Sequence, residues 1–216
     1  NGVHVATGSV ERGDPGLAPE TANRAEQGLH WHLGPVTLRA ALYRVTYDDF
    51  IYLAHTGVTL EGLPVQQWRQ AEARFTGGEA ELDWALADNA SGTWDLRLFG
   101  DAVRAKLVDG GNLPRIAPAR VGAELRWERD ALRASLGAVR YVEQDRVAAF
   151  ESATPGYTLV DAHFAWHADT RAGNAWELFV DGRNLLDSEA RPHTSFLKDL
   201  SPLPGRGVEL GVRVFF

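Results

Sequence analysis

The chain has 216 residues, of which 44% are hydrophobic, and it carries a formal net charge of −7 and no cysteine. This composition excludes a nucleic-acid binder that works by net positive charge, and it excludes a disulfide scaffold. No run of about 18 apolar residues is present, which excludes a membrane helix but not membrane-spanning strands, because such strands need only about ten alternating residues each.

The first segment, residues 1–21, is rich in Gly and Pro and has no sustained hydrophobic period. It is therefore predicted to be a loop. The chain begins at Asn1 with neither an initiator methionine nor a signal peptide. We expect it to be the C-terminal fragment of a longer, exported protein.

From Ala22 onward, apolar and polar residues alternate with period two, which is typical of strands. Gly34-Pro35 predicts a tight hairpin turn, and residues 88–92 predict another. A strand is expected to end near Tyr47–Leu53 and to be followed by a long loop to about Pro64. Further loops are expected at 108–118 and 143–156, and the pattern gives roughly nine strands to Phe216.

The final strand shows what the two faces of the sheet carry. Its apolar face holds Val208, Leu210, Val212, Val214 and Phe216, whereas Glu209 and Arg213 lie on the other face. In a soluble β-sandwich the apolar face would point into a core. In an outer-membrane barrel it would face lipid, and the charged face would line the lumen.

The positions of the tryptophans distinguish these two interpretations. Six of the seven lie within a few residues of a short predicted turn and on the apolar face: Trp31, Trp84, Trp94, Trp127, Trp166 and Trp176. A sandwich core gives no reason for this, whereas indole rings favour a membrane interface. The pattern predicts a transmembrane antiparallel barrel with this tryptophan belt at the periplasmic rim. The loops around Thr56, Asp109, Arg146 and Ser195 would then lie outside.

Three motifs near the C-terminus point to a known family. They are Asn184-Leu185-Leu186-Asp187, the HTSFLKD stretch from His193 to Asp199, and the PLPGRG stretch from Pro202 to Gly207, followed by a strand that closes on Phe216. Together they resemble the end of the TonB-dependent outer-membrane receptors. The last two motifs, with the loop 1–21, are similar to the zinc-uptake receptors, although Ala18 stands where a basic residue is more usual.

The resemblance implies an all-β fold, part of a larger, 22-stranded barrel whose N-terminal plug domain is absent from this chain. Residues 1–21 would form an extracellular loop and 22–216 barrel strands and loops. It implies a location in the outer membrane of a Gram-negative bacterium, in contact with lipid. The expected partners are TonB and the plug, both through the missing N-terminal region, and the barrel-insertion machinery, which would recognise Phe216. Zinc would be the transported ligand, with no cofactor and no enzymatic activity.

The polar face carries charges of both signs, which is typical of a polar lumen. They include Glu79, Glu81, Asp83, Asp95, Arg97, Glu124, Arg126, Arg133, Glu177, Asp181, Arg183, Glu209 and Arg213. Any one of them could equally belong to an ordinary solvated sheet. Without a plug domain, many of these charges are expected to lack partners.

Seven histidines raise the possibility of metal binding, because imidazole is a common zinc ligand. His4, in the loop that resembles the zinc receptors, is the first candidate, His193 the second and His55 the third. The other four, His30, His32, His163 and His167, are predicted near the periplasmic end, with rim or lumen roles. No tight ligand pair is apparent in the sequence, and each candidate could be an ordinary surface histidine.

No catalytic grouping is apparent. Ser195 lies near His193 and Asp199 in the sequence but without a nucleophile elbow, and there is no phosphate-binding glycine loop. The remaining alternatives are a receptor for a siderophore, haem or another nutrient, a passive porin-like pore, and a soluble β-sandwich binding module. Partitioning into detergent would distinguish the last from the others.

Overall fold

A computed structural model of the chain describes residues 1–169 and 175–216. Within these residues the fold is all-β, as predicted. The strands are β1 (Gly2–His4), β2 (Ser9–Arg12), β3 (Thr21–Leu33), β4 (Val36–Leu60), β5 (Leu63–Asn89), β6 (Gly92–Leu107), β7 (Arg120–Arg129), β8 (Leu132–Tyr141), β9 (Tyr157–Asp169), β10 (Ala175–Arg183) and β11 (Gly207–Phe215). The nine from β3 to β11 match the number predicted. The other two, β1 and β2, are short and lie in the segment predicted to be a loop.

The strands of the described residues belong to one sheet in which consecutive strands from β3 to β11 pair antiparallel. Strand β2 adds a short parallel pairing to β5 at Val65–Gln67. No second sheet covers this one in the described part of the chain, which argues against the β-sandwich. No helix there has the length and apolar character needed to cross a bilayer.

The prediction of a long loop between Leu53 and Pro64 is wrong. Strands β4 and β5 continue as a ladder and close in a tight turn at Glu61 and Gly62. The prediction failed because a β-bulge lies between Tyr47, opposite Ala73, and Phe50, opposite Ala71. The extra residue shifts the period-two pattern, and Asp49 adopts a positive φ of 60°. The hairpin of β4 and β5 continues well beyond the ends of the neighbouring strands β3 and β6.

The register separates the sheet into two faces. The outward face carries rows such as Leu38, Leu82 and Leu98, and its apolar side chains are exposed: Leu136 is 54% and Leu210 77% accessible. The inner face carries Arg39, Glu81 and Arg97. An apolar face left open to the surroundings suits a sheet that is solvated by lipid.

A small apolar cluster lies on the inner face, at the end away from the short turns. Tyr47, Phe50 and Phe75 meet edge to face, with ring centroids 4.9–5.4 Å apart. They pack against Ala73, Ala105 and Leu113. Because Leu113 belongs to the β6–β7 connection, this cluster holds that loop against the long hairpin.

Candidate functional site

Three connections meet at the end of the sheet away from the short turns: residues 108–119, 142–156 and 184–206. We call them the loop cap. Arg115 attaches the cap to the long hairpin, since its Nη2 donates a hydrogen bond to the Leu53 carbonyl at 3.0 Å. The guanidinium of Arg115 also lies 4.3 Å from the ring centre of Phe196. Asn112 Nδ2 donates to the Val147 carbonyl at 3.1 Å, which joins the first two connections.

The carboxylate of Glu151 lies at the centre of the loop cap, and its side chain is only 1% exposed. It accepts hydrogen bonds from the backbone N–H groups of Arg115, at 2.8 Å, and Ala148, at 2.9 Å. Lys198 Nζ and His193 Nε2 each lie 3.2 Å from its Oε1 atom. One buried anion therefore binds all three connections.

The same contacts set the pKa of Glu151. Burial alone would raise it, but the hydrogen bond from His193, those from the Ala148 and Arg115 N–H groups, and the charge of Lys198 lower the pKa to about 2. Hydrogen bonds and a nearby cation favour the charged form of a carboxyl group. Glu151 is therefore an anion throughout the physiological pH range.

His193, the second metal candidate, is 1% exposed and has both ring nitrogens in contact with partners. Its Nδ1 atom lies 3.0 Å from Thr154 Oγ1 and 3.3 Å from Lys198 Nζ. If Nε2–H donates to Glu151, Nδ1 is left as an acceptor for these two groups. A metal ion could reach this ring only after the cap had opened.

His4 on β1 and His55 on β4 lie at the same end of the sheet, with β2 and β5 between their strands. His55 is opposite Gln66, which in turn is opposite Glu11 on β2. Burial lowers the pKa of His55, and the positive charge of Arg115 lowers it further. His4 is more exposed, and its Nδ1 atom lies 3.9 Å from Glu11 Oε1.

The structure thus places the three predicted ligands at the same end of the sheet, each with its own partners and without a common centre. Within residues 1–169 and 175–216, no group of three or more His, Cys, Asp or Glu side chains is arranged to hold a metal ion. Any metal site in this region would form by rearrangement or with groups from outside the chain. Glu151, Lys198 and Glu11 cannot be recognised from the sequence, since each resembles an ordinary surface charge in a segment without hydrophobic periodicity.

The inner face is polar along its length, and many of its charges pair with one another. Arg39 Nη1 lies 3.0 Å from Glu81 and 2.7 Å from Asp83, and Arg97 Nε donates to Glu81 at 2.8 Å. Further pairs join Arg120 to Asp101, Arg126 to Glu124, Arg133 to Glu128, Arg183 to Glu209, and Arg213 to Glu177. The expectation that these charges lack partners is therefore wrong for these pairs, because the same strand or a neighbouring strand supplies the counter-charge.

Some of these pairs border one pocket on the inner face. This pocket of about 610 Å³ is lined by Arg39, Glu81, Arg97, Asp101 and Arg120, together with His30. Of the other predicted rim histidines, His32 Nδ1 lies 2.9 Å from Thr37 Oγ1, and His163 Nδ1 lies 2.6 Å from Asp181 Oδ1. His167 lies opposite Glu177.

The six tryptophans of the belt lie on the outward face toward the short turns. Trp94 is opposite Trp127, Trp166 is opposite Leu178, and Trp176 is opposite Val214, near the C-terminal Phe216. Trp127 Nε1 donates to the Ser91 carbonyl in the β5–β6 turn at 2.8 Å. The short turn predicted between Trp166 and Trp176 falls on residues 170–174, which lie outside the described residues. Trp68 lies apart from the belt, opposite Leu53 on the long hairpin.

Comparison with known proteins gives a consistent family. A family model described as "TonB dependent receptor-like, beta-barrel" matches residues 1–185. Among solved structures, the copper transporter OprC superposes with a TM-score of 0.81 and 21% identity, over 94% of this chain and 33% of that protein. The FrpB iron transporter from Neisseria meningitidis (F3-3 variant) gives 0.65 and 16%, over 96% of this chain and 33% of that one.

A third similar structure is the pyoverdine receptor FpvA from Pseudomonas aeruginosa PAO1 bound to pyoverdine, with a TM-score of 0.66 and 16% identity over 93% of this chain and 30% of that one. At these identities the likeness shows the fold alone. The chain spans about one third of the length of the structures it matches.

Proposed function

Because the chain belongs to the TonB-dependent receptors, a family of outer-membrane transporters and not of enzymes, we propose that it forms part of the barrel wall of a metal-uptake receptor, and that the metal is zinc. The observation that carries this proposal is the position of His4, His55 and His193 around the loop cap, above an inner wall lined with charges. Imidazole is a preferred nitrogen ligand of zinc.

The loop cap would act as the outer entrance. In outer-membrane barrels, turns are short on the periplasmic side and loops longer outside, so the cap would lie outside and the tryptophan belt would lie at the periplasmic rim. The names of the similar structures also favour metal uptake, since two are described as copper and iron transporters. Energy would come from the inner membrane through TonB, as in the family, and a plug domain would complete the lumen.

A transport site has to release its ion, so a loose set of ligands is more suitable than a closed tetrahedral site. The exposed His4 beside Glu11 could capture an incoming ion first. His193 would then bind the ion only after the ion had replaced its contacts with Thr154 and Glu151. Opening of the cap and coordination of the metal would in this way be coupled.

Zinc titration of the protein in its full-length context tests this proposal. We expect replacement of His4 and His193 by Ala to weaken zinc binding near neutral pH, with a smaller effect below about pH 5.5, where imidazole is largely protonated. The matched control replaces His30 and His32 at the opposite end. If the double variant bound zinc like the parent while the control lost binding, the site assignment would be wrong.

A second candidate is an iron–siderophore receptor, since one of the similar structures holds pyoverdine. Titration with free Zn²⁺ and with a ferric siderophore distinguishes the two functions. Binding of the chelate without binding of free zinc would favour this alternative.

A further inference from the structure

A second set of side chains lies on the outward face, at the end opposite the tryptophan belt. Arg44 and Arg104 flank Thr76 in one register row, Arg74 and Lys106 are neighbours in the next, and Arg140 lies opposite Val121. We call these five residues the basic band. Val121 and Leu98 line an apolar surface groove together with Arg140, which places Arg140 on the outward face.

The basic band runs parallel to the tryptophan belt. Arg74 is ten positions from Trp84 on β5, and Arg104 is ten positions from Trp94 on β6. The outward positions between them are uncharged: Thr76, Gly78, Ala80 and Leu82 on β5, and Leu96, Leu98, Gly100 and Ala102 on β6. Ten residues span about 33 Å of strand, and a tilt of 35–45° reduces this to about 25 Å, the height of a barrel's apolar band.

The two sets are also staggered in the same direction along the strands. Arg140 on β8 lies in the same register row as Val121 on β7 and Gly100 on β6. Gly100 is four positions from Arg104, so from β6 to β8 the basic band is displaced by four positions toward the short turns. The tryptophan belt is displaced in the same direction. Phe164 is the residue of β9 that lies in the row of Trp127, and Trp166 lies two positions from Phe164, toward the end of β9 that leads to β10. Tilted strands require such a stagger if each set marks one level of the membrane.

The basic band differs from the inner face in its partners. On the inner face, Arg39, Arg97 and Arg126 each form an ion pair. In the described part of the chain, no carboxylate lies within the 4.0 Å ion-pair distance of any of the five band cations. Arg140 Nη1 donates to Thr158 Oγ1 at 3.3 Å, and Nε of Arg74 has no hydrogen-bond partner.

Acidic groups near the band do not neutralise it. Glu72 lies two positions beyond Arg74 on β5, farther from the apolar region. Glu143 and Asp145 line a cavity of about 320 Å³ with Arg104 but are not paired with it. The sheet thus presents unpaired cations at the upper edge of a surface that faces lipid.

We propose that the basic band binds the phosphate groups of the phosphorylated glycolipid of the outer leaflet. Guanidinium groups bind phosphate with paired hydrogen bonds, and long basic side chains at a membrane boundary can keep their stems in the apolar layer while the charge reaches the headgroups. The choice of the outer leaflet rests on the orientation proposed above, with the loop cap outside. The glycolipid would hold the receptor at a fixed depth and rotation in the membrane.

The test measures lipid A, the phosphorylated anchor of that glycolipid, bound to the detergent-purified protein in its full-length context. We expect the variant R44Q/R74Q/R104Q/R140Q to retain at least about tenfold less lipid A than the parent. The matched control, R24Q/R129Q/R183Q/R206Q, removes four exposed charges outside the band and should retain the parent's amount. Heat-dependent migration in gels checks that each variant is folded.

A change in the ligand keeps the test independent of folding. The parent protein should bind lipid A carrying both phosphates but not lipid A from which they have been removed, and inorganic phosphate alone should not compete at equal concentration. Equal binding of the two lipids, or an equal loss in the control variant, would overturn the proposal. Preference for phosphatidylglycerol over lipid A would also overturn it and would reverse the assigned orientation.

This outcome can be separated from the transport proposal. The band lies on the outward face, away from His4 and His193, so we expect the band variant to bind zinc like the parent. Loss of lipid A binding with unchanged zinc binding supports the lipid site. Failure of zinc binding in the parent would refute the metal proposal and leave the lipid measurement valid.

Discussion

His193 Nε2 lies 3.2 Å from Glu151 Oε1, and the side chains of these two residues, which are 42 positions apart in the chain, are each only 1% exposed. A buried carboxylate requires compensation, and here it comes from two N–H groups, an imidazole and an ammonium group. This contact makes three separate loops one polar unit. The state of the loop cap can therefore be changed at a single residue.

The first prediction concerns removal of that anion. Replacing Glu151 by Gln leaves Lys198 buried without its counter-charge, and breaking a buried pair in this way costs about 3–5 kcal/mol. We expect backbone amides in 148–152 and 193–201 to exchange with solvent correspondingly faster. The control is Glu189→Gln, which removes the exposed carboxylate that pairs with Arg191. Equal effects of the two variants would contradict a central role for Glu151.

The second prediction concerns pH. The pKa of Glu151 is lowered to about 2 in the folded protein from an ordinary 4.5, so its contribution is complete above about pH 4.5 and is lost as the pH falls toward 2. Because the chain has no cysteine, spin labels can be placed at Ala149→Cys and Leu200→Cys. The label distance should stay narrow from pH 7 to 5 and broaden below 4.5. Broadening already at pH 6 would show that another group holds the cap.

The sequence predicted the strands well because period-two alternation reports directly which face each residue occupies. It failed at Asp48 and Asp49, since a bulge shifts that alternation, and the shifted pattern resembles the end of a strand. The Glu151–Lys198 pair could not be anticipated, because its partners are 47 positions apart in loops without periodicity. Burial of a loop charge depends on which loops meet, and local sequence does not contain that information.

The third prediction tests the two faces of the sheet. Leu136 lies on the outward face and is 54% exposed, whereas its neighbour Ser135 lies on the inner face, opposite Arg126 and His163. Leu136→Arg should lower the free energy of unfolding in vesicles by about 2–4 kcal/mol, since a charge near the bilayer midplane destabilises the folded barrel. Ser135→Arg should cost much less. Urea titrations in the same vesicles measure both, and equal losses would show that the faces are assigned wrongly.

The fourth prediction concerns a glycine that permits close approach of an aromatic ring. A Cβ atom at Gly211 would lie 2.1 Å from Cζ of Phe179, whose ring also lies 4.3 Å from the Arg213 guanidinium. Gly211→Ala must displace the ring, and overpacking of this kind costs about 1–3 kcal/mol. Gly137→Ala is the matched control, because the nearest atoms to its new Cβ would be 3.9 Å away. Urea titration should show a loss of stability for Gly211→Ala alone, and a similar loss for both variants would mean that glycine acts here through the backbone and not through the ring contact.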